Sequence, residues 1–151
     1  METISVERTI AAPAPAVFEW ISNAHNYTRI PLVLHERLRE PGVDAPYGRG
    51  AVRVLIWVIG VFWERITEYD PPNSFEYHVY RSVPPSRHEK GRVEFTETGA
   101  GTHVRWTTTV RLRIPFAGPV LMRWVAKPLL TYAFGRVLRT AADDLGGAGN
   151  R

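Results

Sequence analysis

Two carboxylates stand in stretches whose apolar residues alternate as in strands. Glu36 lies between Leu34 and Leu38, and Glu64 lies between Phe62 and Ile66. Residues 51–67 read as a hairpin. A three-residue turn at Val58-Ile59-Gly60, with Gly60 left-handed, would pair residue 57 with 61 and 56 with 62. One face then carries Val52, Val54, Ile56, Phe62, Glu64 and Ile66; the other carries Arg53, Leu55, Trp57, Val61, Trp63 and Arg65. The first has one charge rather than two and is expected to face inward. Glu64 and Glu36 then lie on a concave apolar wall, where burial raises a carboxyl pKa and suits it to move protons. The plainer alternative is that one or both sit at the rim or pair with an arginine.

The same register leaves Leu55, Trp57, Val61 and Trp63 as an outward apolar patch. Such a patch usually meets a partner, either a second copy of the chain or, given Arg53 and Arg65 beside the tryptophans, an anionic membrane surface. The inverse register would bury those residues, since a one-residue slip exchanges the two faces of a strand.

Tyr77 and Arg81 share the face of Phe75 on a further strand. Tyr77 could hydrogen-bond a bound molecule, and Arg81 could meet a carboxylate or phosphate at a cavity mouth; core Tyr and rim Arg are the alternative. Trp106 and Trp124 are expected in the interior. Of the five histidines, His35, His78 and His103 fall on outward parity, and His88 is placed near a loop end. None has metal-ligand spacing, and no phosphate-loop, dinucleotide or nucleophile-elbow motif occurs, so neither metal nor cofactor is expected. Arg87, Lys90 and Arg92 with Arg105, Arg111 and Arg113 form a basic stripe. It has no interleaved aromatics and reads as solvated surface rather than a nucleic-acid site.

Turn and period signals set out the elements that must position these residues. Residues 3–10 read as a strand, Pro15 suits the first turn of a short helix carrying Val17, Phe18 and Ile21, and Asn23 caps a second. Six strands come next, with turns at 70–73, 84–86 and 99–101. Pro115 to Pro119 ends the sheet, Gly118-Pro119 suits a helix start, and Pro128 divides the 120–127 segment from a long C-terminal helix. On one face of that helix Leu130, Phe134, Val137, Leu138, Ala141 and Leu145 recur.

The chain of 151 residues, 44% hydrophobic and 23% charged, is the size of one domain with a core. It has 19 basic against 15 acidic residues and no cysteine, which excludes disulfides and thiolate chemistry. No basic leader opens it, and its longest apolar run, 54–63, is too short to span a bilayer. A cytoplasmic location is expected.

The stretches ISVERTIAAPAPAVFEWISNAHNYTRI (4–30), ITEYDPPNSFEYHV (66–79), HEKGRVEFTETGAGTHVRW (88–106) and LLTYAFGRVLRTAADDL (129–145) resemble the helix-grip fold. This is the START-like or SRPBCC superfamily, with its polyketide cyclase/dehydrase-like branch. The resemblance implies an α+β domain over 1–145, with seven antiparallel strands wrapped around the C-terminal helix and a flexible tail at 146–151. It also implies a small hydrophobic or lipid-like ligand held between sheet and helix. The expected wall is Ile66, Phe75, Tyr77, Val93, Phe95, Trp106, Trp124, Phe134 and Leu138, with Glu64 and Arg81 as polar contacts. A cyclase or dehydrase using Glu64 or Glu36, and an adaptor acting through Trp57 and Trp63, are the alternatives.

Overall fold

The computed structural model describes residues 2–83, 85–112, 120, 124–125 and 127–149. Strand β1 (Glu2–Ile10) leads into α1 (Ala14–Ser22) and a 3-10 helix (Ala24–Arg29). Then come β2 (Val33–Glu40), β3 (Val52–Trp57), β4 (Gly60–Asp70), β5 (Ser74–Val83), β6 (Ser86–Thr98) and β7 (Gly101–Leu112), and finally the helix α2 (Lys127–Gly149). Proline stands in the first turn of α1, where its missing N–H costs nothing. The Asn23 side chain accepts from the His25 N–H and caps the 3-10 helix, as its residue type predicts.

The strands form one antiparallel sheet in the order β1-β7-β6-β5-β4-β3-β2. Consecutive hairpins generate β2 to β7, and β1 closes against β7. The edges are thus β1 and β2, and the two short helices connect them. The sheet wraps α2, whose Phe134, Val137, Leu138 and Ala141 are buried as the helical period predicts. Pro128 lies in the first turn of α2. The expected sheet stop at Pro115–Pro119 and helix start at Gly118-Pro119 fall outside the described residues.

The β3–β4 hairpin departs from expectation. Trp57 pairs with Gly60, so the turn has two residues, Val58 and Ile59. Gly60, at φ 153°, begins β4 instead of sitting in the turn. Two-residue connections match strand twist well and are the commonest in hairpins. The shorter turn leaves β4 as expected, with Glu64 and Ile66 inward, but inverts β3. Arg53, Leu55 and Trp57 are therefore buried. Leu55 and Trp57 belong to the core rather than an outward patch, and Trp57 meets Phe134 edge-on at 6.1 Å. Val61 and Trp63 are only half-buried.

Arg81 also departs from expectation. Register shifts in the β4–β5 ladder, where Trp63 pairs with Arg81 but Glu64 pairs with Val79, leaving Tyr80 as a bulge. A bulge reverses the parity beyond it. Arg81 therefore leaves the Phe75–Tyr77–Val79 face and stacks on the Trp63 ring at 4.7 Å.

The two tryptophans test this register. Trp57→Ala is expected to cost about 3–5 kcal/mol in denaturant melts, as for a buried aromatic. Trp63→Ala is expected to cost about 1 kcal/mol, the scale of an exposed cation–π contact. Equal losses would contradict the two-residue turn.

Candidate functional site

Pairing β3 with β4 sets Arg53 directly opposite Glu64. Arg53 Nε donates to Glu64 Oε1 at 2.8 Å, and both side chains are buried. The guanidinium also reaches the Ser22 carbonyl at the end of α1. Its carbon lies 5.6 Å from the Tyr27 ring centre, 5.9 Å from that of Phe75 and 5.5 Å from that of Tyr77. Aromatic faces attract a cation, and more so away from water. Burial opposes the charge on Arg53, but the Glu64 carboxylate outweighs that opposition and holds the group protonated. Burial raises the Glu64 carboxyl above its ordinary range, against the pull of Arg53.

His88, the third residue of β6 and so near the β5–β6 loop as expected, is buried beside this pair. A register shift between His88 and Lys90 turns it inward. Its Nδ1 accepts the Val79 N–H at 3.1 Å, and Nε2 faces Thr108 Oγ1 at 2.5 Å. Accepting at Nδ1 leaves the proton on Nε2, which donates to the threonine oxygen. Burial, helped by nearby His78, pushes His88 down to about 4, so the ring is neutral at physiological pH.

Tyr77 completes the group. Its hydroxyl accepts from the Trp106 indole N–H at 2.8 Å, and its ring stacks on His88. The ring also lies over Gly91, its cross-strand partner: a Cβ there would come within 2.1 Å of the Tyr77 Cζ. Only glycine leaves room for that ring. Among the described residues, no buried side-chain nitrogen or oxygen lacks a hydrogen-bond partner.

These residues line a cavity between sheet and α2. Arg53, Glu64, Tyr77, His88 and Thr108 form its polar wall, and Trp57, Trp106 and Phe134 are prominent on its apolar one. Leu130 and Phe62, both half-buried, also line it. The cavity measures about 40 Å³, room for about one water molecule. Trp106 and Phe134 stack flat across it at 4.2 Å. A larger cleft of about 490 Å³ lies outside, between α1, residues 45–47 and the β4–β5 turn.

Tyr77, Trp106, Phe134 and Glu64 stand in the cavity wall. Ile66, Phe75, Val93, Phe95 and Leu138 are buried in the surrounding core, with Phe75 and Phe95 clustered on Phe18. Trp124, expected inside, is 69% exposed. Glu36 is buried but does not join Glu64. Tyr47 donates its hydroxyl to both Glu36 oxygens, at 3.0 and 2.9 Å, and His25 lies 3.4 Å away. Sequence reasoning missed Arg53 and His88. The alternation of Arg53 with Leu55 and Trp57 was a usable signal for the first; the bulge behind the second leaves no local one. Among the described residues no cluster of metal-ligating side chains occurs.

Two stability measurements probe this site. Arg53→Met strands a buried carboxylate and is expected to cost about 3–5 kcal/mol, much of which Arg53→Met with Glu64→Leu should restore. His88 takes its proton near pH 6.5 when unfolded and near 4 when folded. Its contribution is thus complete above pH 6.5, declines as the pH falls through this window, and levels off below 4. Wild type minus His88→Gln is expected to change by about 2–3 kcal/mol across it; a flat difference would contradict a neutral buried ring.

Comparison with known proteins matches nearly the whole of this chain. The family model described as polyketide cyclase/dehydrase and lipid transport matches residues 1–147. No curated protein matches the chain in sequence. A crystal structure of a Thermus thermophilus protein superposes with a TM-score of 0.79 at 19% identity, covering 97% of this chain and 99% of that one. A START superfamily protein of Mycobacterium smegmatis gives 0.73 at 16% identity, over 95% and 98%. The di-domain ARO/CYC BexL gives 0.74 at 21% identity, over 95% of this chain and 50% of that one. The fold is one whose groove between sheet and helix is typical of ligand binding in START-like proteins. The chain belongs to the polyketide cyclase/dehydrase and lipid-transport family of the START-like helix-grip superfamily.

Proposed function

We propose that the protein binds a small, largely apolar molecule between sheet and α2, with Arg53, Glu64 and His88 reading a polar or anionic group at its inner end. The observation behind this reading is the placing of a buried ion pair and a neutral histidine in the wall of an otherwise apolar cavity. Well-packed apolar residues in place of a buried ion pair are often as stabilising or more so. Stability alone therefore gives little reason for these groups, whereas discrimination by a few placed polar groups does. At about 40 Å³ the cavity is far below the size of a drug-like ligand. Binding thus requires Leu130 and Phe62, half-buried at the margin of the core, and the Phe134 ring to move aside.

Native mass spectrometry of the purified chain, with and without the anionic aromatic probe anilinonaphthalene sulfonate, tests the reading. One probe per chain is expected, with Leu130→Trp reducing affinity roughly tenfold by filling the margin. Probe binding that Leu130→Trp leaves unchanged would place the probe elsewhere and refute a site in this cavity.

A second reading is a proton-transfer enzyme of cyclase or dehydrase type. It is favoured by one observation, the Glu64 carboxyl that burial raises within the cavity wall. Arg53 would position that carboxyl, and Glu36, tied to Tyr47, would take no part. Glu64→Gln should then abolish turnover of a polyketide-like substrate while the substrate still binds; unchanged turnover would exclude Glu64.

A further inference from the structure

The outer cleft, at about 490 Å³, has the size of a small-molecule site. One face of α1 forms one side of it: Pro15, Phe18, Glu19 and Ser22 recur at helical spacing and all line it. Tyr47 of the 41–50 loop and Tyr69 near the end of β4 supply aromatic rings. Phe18 packs edge-on against Tyr69 at 5.3 Å and holds that ring in place. The loop is folded on itself. The Gly42 N–H donates to the Pro46 carbonyl and the Gly48 N–H to the Ala45 carbonyl. A Cβ at Gly42 would come within 2.6 Å of the Gly48 backbone. This wall is therefore formed before any ligand arrives.

The cleft is negative. Glu19 is the one charged side chain that lines it. Among the described residues nothing pairs with the Glu19 carboxylate or donates a hydrogen bond to it. Glu19 also stands in the last turn of α1, which has no basic residue to meet the negative end of the helix dipole. Asp44 and Asp70, each next in sequence to a lining residue, are exposed. Arg49 is the one cation of the 41–50 loop and does not line the cleft. Behind the wall lies the buried Glu36, to which the Tyr47 hydroxyl donates at 3.0 and 2.9 Å. A phenol that donates to a carboxylate is polarised, and its ring face becomes more negative. Burial and the nearby Glu19 carboxylate both raise the Tyr69 hydroxyl, so that ring is neutral and close to the charge.

We infer that this cleft is a second binding site, for a small quaternary ammonium ion held by Glu19 and the rings of Tyr47 and Tyr69. Aromatic faces and a carboxylate attract such a cation without needing N–H donors from it. The prolines and Phe18 suit its alkyl groups, and few acceptors are present to meet the N–H groups of a primary amine. The ion is free rather than part of a lipid headgroup, because a phosphate beside Glu19 would be repelled. The inference stands on this cleft alone and does not depend on what the inner cavity holds.

Titration of the full chain with choline, followed by amide NMR shifts, tests it. Saturable shifts are expected at Glu19, Tyr47 and Tyr69, weakening as salt is added. The uncharged isostere 3,3-dimethylbutan-1-ol and the anionic phosphocholine should each bind at least fivefold more weakly. Glu19→Gln, at an exposed side chain, and Tyr69→Leu should each lower choline affinity about fivefold. Glu7→Gln, which removes the same charge from β1, should leave it unchanged, and circular dichroism checks that each variant is folded. Absence of saturable shifts at the cleft, or binding that Glu19→Gln leaves intact, overturns the inference. Equal binding of the isostere shows a merely apolar cleft and also overturns it. Tighter binding of phosphocholine, or of ethanolamine as the primary amine, overturns the assignment to a free quaternary ion.

Discussion

A guanidinium cannot leave water unaccompanied, and the placement of Arg53 governs how much of this molecule is arranged. Its carboxylate partner arrives from β4 because the β3–β4 turn has two residues. Its remaining donors and its flat faces are met by the Ser22 carbonyl of α1, by Tyr27 of the 3-10 helix and by Phe75 and Tyr77 of β5. The short helices and two neighbouring strands therefore converge on one charge. Moving any of them away would leave an ion pair buried without its full set of contacts, which costs several kcal/mol.

Around that pair the interior is divided by chemistry. On one side Phe18, Phe75 and Phe95 form an aromatic cluster that holds α1 to the sheet. On the other, Tyr77, His88, Thr108 and Trp106 form a hydrogen-bonded wall facing α2. Each polar group there is satisfied within the protein, so the wall is preorganised. A ligand would meet fixed dipoles and charges instead of groups that must be reoriented. The outer cleft is larger, yet it is walled by prolines, half-buried tyrosines and the ends of loops. Its size reflects an open surface; the inner cavity, though small, is where buried charge and the sheet–helix groove coincide.

The two ends of the fold also differ. At the α1 end, Asp144 near the end of α2 ties in Trp20 and Arg29, and Tyr47 closes over Glu36. At the other end the strands finish in exposed valines and arginines near the start of α2. Phe62 and Leu130, half-buried in the cavity wall, belong to β4 near its start and to α2 near its start. The half-buried margin of the cavity thus lies toward the end where Val58 and Val83 are exposed.

The order of elements, the apolar face of α2 and the inward residues of β5 and β7 were legible in the sequence. Each rests on local periodicity, and period survives any tertiary context. Glu64 and Tyr77 were placed in the cavity wall on the same ground. Arg53, Trp57, Arg81 and His88 were not, because each depends on a turn length or bulge that shifts parity by one residue. Such a shift changes nothing in the local pattern of residue types and everything about which side they face. Residue periodicity was enough to require an antiparallel sheet wrapped around an amphipathic helix. Which charges the wrapping encloses depends on registry, and registry is settled by the packing of all the strands at once. Trp124 shows the same limit: its residue type argues for burial, and the fold leaves it exposed beside the start of α2.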